Sequence, residues 1–268
     1  PINKRTNLVA IHVGPVLDKI SALSTVGSER WLAAELENSG TSPQARSAIP
    51  QALLDGATAN AVKLVISGLG RRPPAVQEAS LRALQFNESS LEVDEAKLLL
   101  GQLGGRTSRS AAAKAGDRLE QYVAVLKNSK SEATRAWLSG DAYTFAGGKT
   151  DRLHLLVRAA AELELTAARD QLVKLLGNRS RELAVSAIEA LARIGVEGAV
   201  DEITSVLNRS RTDIRLRARA LDALADTPEG KGLAIRFAGE KYSELRALAM
   251  WRLSMRPGEP AAMKAWYS

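Results

Sequence analysis

The side chains able to do chemistry are few, and their spacing limits what they can do. Asp151 and His154 stand at i, i+3 on a helical stretch, where a carboxylate can orient an imidazole. A general base also needs a nucleophile or substrate group beside it, and no such group accompanies this pair. Asp151 reads more simply as the N-cap of the helix that follows. The chain has no cysteine, which removes thiolate zinc sites, cysteine nucleophiles and disulfides together. Its two histidines, His12 and His154, are far apart, so a histidine-based metal site would need carboxylates to complete it. Glu92, Asp94 and Glu95 fall in the first turn of a helix, where acidic groups complement the helix dipole without any metal. No metal and no cofactor are expected. Phe145-Ala146-Gly147-Gly148-Lys149-Thr150 ends like a phosphate-binding loop. That motif needs glycine where Tyr143 stands and a strand before it, so the segment reads as a glycine turn between helices.

The arginines form the more extended pattern. Nearly every turn inside a helix pair is basic: Arg71 and Arg72, Arg106 and Arg109, Arg179 and Arg181, Arg209 and Arg211, with Lys149 and Lys241 near two others. If the pairs stack, equivalent turns align along one edge at the ~10 Å spacing of packed helices. That is about one Debye length at ordinary salt, so the potentials add into a stripe able to attract a polyanion. Turns are also polar by necessity, and a guanidinium can close the C-terminal carbonyls of the preceding helix. Both readings stand at this stage. On one helix, Arg215, Arg217 and Arg219 alternate with apolar residues, so they point to different sides. Arg219 is expected to pair with Asp222 at i, i+3.

The elements that must hold these residues are helical throughout. Leu176-Gly177-Asn178-Arg179-Ser180-Arg181 returns 30 residues later as Val206-Leu207-Asn208-Arg209-Ser210-Arg211, each copy between two amphipathic stretches. A helix–turn–helix unit repeating at this length marks a solenoid, whose units stack because none buries its own apolar face alone. Helices are expected over 8–25, 28–38, from 43 after the Ser42 N-cap, and then in pairs. The pairs are 57–69 with 75–86, 92–103 with a helix ending near 127, 167–176 with 180–194, 197–207 with 212–225, and 228–238 with 243–255. Single helices are expected over 131–138 and 151–165. Pro50 is expected to kink or end its helix, and Gly177, Gly195 and Gly239 to supply left-handed C-caps. The stretch 139–150 reads as irregular. Tyr143 and Phe145 within it are expected to fold back beside Trp137, the alternative being a contact site for a partner. No stretch alternates with period two for long enough to argue a strand.

Asp213-Ile214-Arg215-Leu216-Arg217 followed by Ala220-Leu221-Asp222-Ala223-Leu224 resembles a HEAT repeat of the short bacterial type, similar to the PBS-lyase HEAT-like class. Leu183, Ala187, Ile188 and Leu191 fit the same frame, as do Leu245, Arg246, Ala249, Met250 and Leu253. The resemblance is good over 150–256, fainter over 57–127 and absent before that. It implies an all-α, right-handed superhelix of about six helix pairs, with 1–56 as an irregular helical cap and 57–268 as repeats stacked on it. It also implies a curved surface, lined by the second helix of each pair, that binds a protein or less often a nucleic acid. HEAT-like iron hydroxylases hold their metals by paired His-Glu motifs that this chain lacks. HEAT-like alkylpurine DNA glycosylases use a tryptophan to stack on the damaged nucleotide and an aspartate to stabilise the cationic sugar. Trp137 and Asp141 are the residues here that match that relation. A phycobilisome-type chaperone-lyase matches through the generic repeat only.

Composition agrees with a stacked helical chain. Of the 268 residues, 45% are hydrophobic but only 4% aromatic, so alanine and leucine do the packing and helices can approach closely. A net charge of +7 and a pI near 9.8 favour polyanion contact in principle. No apolar run reaches the ~18 residues of a membrane span, and the first residues lack the basic-then-apolar form of a leader. The expectation is a cytoplasmic, non-catalytic scaffold that binds a protein partner and no membrane. The alternative is a nucleic-acid-binding solenoid using the basic turn edge, with the glycosylase as its enzymatic form.

Overall fold

The computed structural model describes residues 26–56, 60–87, 90–103, 112–195, 198–208, 213–224, 227–239 and 244–254. Among these residues all regular structure is helical. The helix expected over 8–25 lies outside them. The chain divides into two compact units. One holds the described residues through Trp137 together with Phe145–Leu155; the other holds Leu138–Thr144 and the described residues from Leu156 onward.

The first unit contains α1 (Val26–Glu37), α2 (Pro43–Asp55), α3 (Ala61–Ile66), a single 3-10 turn (Leu69–Arg71), α4 (Pro74–Gln85), α5 (Val93–Gly101), α6 (Ala112–Leu126) and most of α7 (Glu132–Ser139). Ser42 starts α2 as expected: its Oγ accepts from the Ala45 N–H at 3.2 Å, and Pro43 occupies the first helical position. Pro50 does not end this helix, which continues to Asp55. Its ring is buried along with Ile49, Ala52, Leu53 and Leu54. Burial of a leucine-sized side chain is worth about 1.5–3 kcal/mol, and several together outweigh the ~3 kcal/mol that an interior proline costs. α2 packs along α4, and α4 along α6; α3 meets α5, and α1 meets both α2 and α3. Before α5, Glu92 and Glu95 form a reciprocal capping box, with Glu95 Oε2 accepting from the Glu92 N–H at 2.9 Å.

The second unit contains α10 (Arg169–Leu175), α11 (Arg181–Ile194), α12 (Val200–Asn208), α13 (Ile214–Leu224), α14 (Pro228–Ala238) and α15 (Glu244–Ser254). Successive helices pair as α10 with α11, α12 with α13 and α14 with α15, while α11 also packs on α13 and α13 on α15. Most of the expected stripe is core: Leu183, Ala187, Ile188, Leu191, Leu216, Ala220, Leu221, Leu224, Leu245 and Ala249 are buried, while Met250 is half-buried and the Leu253 side chain lies outside what the structure describes. Ser180 caps α11 and Thr227 caps α14, each through a side-chain oxygen accepting a backbone N–H. Of the three glycines expected to close helices in the left-handed region, Gly195 has a positive φ of 101°, whereas Gly239 stays right-handed at −81°. Gly177 is not among the positive-φ glycines either.

Residues from both units form α8 (Asp141–Ala146) and α9 (Thr150–Glu162). α8 replaces the irregular stretch read from the sequence. Ala142, Tyr143 and Ala146 are buried on one face of it, and that burial overrides a local composition with weak helix preference. Gly140 separates α8 from α7, while Gly147 and Gly148 turn the chain into α9 with φ of 59° and 72°. Because α9 begins at Thr150, Asp151 belongs to its first turn and is not its N-cap.

Candidate functional site

The basic turns resolve residue by residue, beginning with Arg72. Its turn is open to two readings from the sequence, an exposed basic edge or a guanidinium that closes the preceding helix, and Arg72 is buried, at 4% exposure. Its guanidinium closes the end of α3, donating to the carbonyls of Leu64 (3.1 Å), Val65 and Ser67. It also donates to Ser80 Oγ on α4 and, through Nε, to Glu37 Oε1 on α1 at 2.8 Å. One side chain thus ties three helices together and supplies the orphan carbonyls of a helix end with donors. Burial lowers the pKa of this guanidinium from its usual value, the Glu37 hydrogen bond and charge raise it, and the nearby Arg46 charge lowers it further. Arg46, on α2, is itself 8% exposed.

Two further arginines do the same work without standing in a turn of the basic edge. Arg152, on α9, donates through Nε to the Leu103 carbonyl and through Nη2 to that of Gly101, both at 3.1 Å, closing α5. Arg217, on α13, donates to the Leu207 carbonyl near the end of α12 at 2.8 Å and lies 5.6 Å from the Phe237 ring centroid. Asn128 closes α4 in like manner, its amide donating to Leu84 and Gln85 carbonyls at 3.0 and 2.7 Å. The sequence alone assigns no role to Arg152 or Asn128, and it places Arg217 only as one of three arginines pointing to different sides of a helix. The one available signal is that Arg217 sits between the core positions Leu216 and Ala220.

The remaining turn cations divide. Arg181, the first residue of α11, pairs with Asp213 at 3.0 Å, and Asp213 in turn caps α13 by accepting the Arg215 N–H. Arg71 and Arg179 are exposed, as is Lys149. Arg71 lies in the first unit and Arg179 in the second. Arg106, Arg109, Arg209, Arg211 and Lys241 lie outside the described residues. The exposed helix surface of the second unit is laced by acid–base pairs between neighbouring helices. Arg193 pairs with Glu162, and Arg219 pairs with Glu189 at 3.2 Å and with Asp222 at 3.7 Å, the last as expected from its spacing.

Trp137 is buried, at 8% exposure, and its ring meets that of Phe145 edge-on at 5.9 Å between centroids. A ring so covered presents little surface on which a base could stack. Asp141 is exposed and begins α8, on the far side of Gly140 from α7, so the two residues do not share a helix. Tyr143 is buried, and burial pushes its hydroxyl pKa up. Phe145 stays 42% exposed while the Arg152 guanidinium carbon lies 5.6 Å from its ring centroid. Asp151 is exposed and His154 half-buried. No group of three or more potential metal ligands occurs among the described residues, and no described helix is long and apolar enough to cross a membrane. The sequence matches no model of a known protein family and no curated protein.

Proposed function

We propose that this chain is a HEAT-like α-solenoid, a right-handed superhelix acting as a non-catalytic scaffold for a protein partner. The observation that carries the reading is the order of helix packing. Packing recurs between a helix and the next but one: α2 with α4, α4 with α6 and α3 with α5 in the first unit, then α11 with α13 and α13 with α15 in the second. Layers built from alternate helices are what stacked pairs produce, and the first unit has two of them and the second the one formed by α11, α13 and α15. α1 and α2 take part in this order, so the proposed stack reaches into the segment read as a cap. The fate of the turn arginines supports a scaffold further, because Arg72 and Arg181 are engaged within the protein.

In this reading the partner meets the surface of α11, α13 and α15, the second helices of their pairs. A photo-crosslinking amino acid at Glu189 or Arg215 should capture a protein from a native extract. The same probe at Lys174 or Glu202, on the first helices, should capture far less. Equal capture from both sets would overturn the assignment of the face. The alternative, a polyanion-binding edge, retains support from Arg71 and Arg179, which are exposed.

A further inference from the structure

We draw no further inference here: the strongest candidate, the side-chain cluster in the first unit where the buried Arg46 guanidinium, its Nε lacking an acceptor, adds its charge to the Arg72–Glu37 pair, carries nothing because nothing in the structure shows what anion would reach it.

Discussion

At the scale of single residues, the chemistry of this protein is mostly the closing of helix ends. Arg72 illustrates why such a role is hard to read in advance. The sequence shows two adjacent arginines before two prolines, and nothing local separates the exposed Arg71 from the buried Arg72. The distinction is made by Glu37 and Ser80, which lie on other helices. The bland reading of these turns, a guanidinium closing the preceding helix, holds at Arg72. The extended edge loses that member. Replacing Arg72 by methionine leaves three carbonyls and a carboxylate without their donor. The loss should be about 3 kcal/mol of unfolding free energy, measured by chemical denaturation. Lysine should recover little, since an ammonium lacks the planar fork that reaches several acceptors at once. An Arg72→Lys protein as stable as the parent would show that charge alone is needed. A second residue-scale effect concerns alkali. Burial raises the Tyr122 hydroxyl to about 12 from its usual 10, against the opposing charge of Arg118. The folded state therefore holds its proton where the unfolded chain has released it. That contribution is intact below about pH 10 and is lost as pH rises toward 12. Tyr122→Phe should flatten the fall of unfolding free energy across this window, and an unchanged slope would contradict the burial of this hydroxyl.

At the scale of elements, helices and their apolar faces were legible because both follow from periodicity, which a chain carries locally. The stripe through Leu183, Ile188, Leu216 and Leu221 became core as read. What periodicity missed was decided by tertiary contact. Pro50 sits inside a helix because its neighbours are buried, and α8 forms because Tyr143 and Ala146 face inward. Two substitutions in the second unit separate local from tertiary control. Leu221, 1% exposed, lies on the face of α13 shared with its neighbours, so Leu221→Ala should cost about 2–5 kcal/mol. Gly230 occupies the first turn of α14, where alanine is the better helix former by about 1 kcal/mol. A Cβ there would collide with the backbone carbonyl of Leu224. Gly230→Ala should therefore destabilise despite its propensity, with the loss read from the same denaturation curves. A stabilised Gly230→Ala protein would mean that the Leu224 carbonyl lies farther from Gly230 than this contact requires.

At the scale of the whole molecule, the net charge of +7 suggests a polyanion partner, while the placement of the cations divides that charge among several tasks. Arg72, Arg152 and Arg217 serve carbonyl groups, and Arg181, Arg193 and Arg219 serve carboxylates on neighbouring helices. Composition records none of this, because a guanidinium used internally counts the same as one facing solvent. The scaffold and edge readings therefore differ in a measurable way. One variant would replace Arg71, Arg179, Arg209 and Arg211 by serine, sparing the engaged Arg72 and Arg181. A control would replace Lys63, Lys130, Lys174 and Arg215, removing equal charge from other places. An edge that binds nucleic acid should lose affinity in the first variant alone, with the salt slope on duplex or single-stranded DNA falling by about one unit for each phosphate contact removed. The scaffold reading expects a shallow slope in the parent and the same small change in both variants, as charge acting only through its sum requires. A steep parental slope that flattens only in the turn variant would overturn the scaffold and make the basic edge the functional surface.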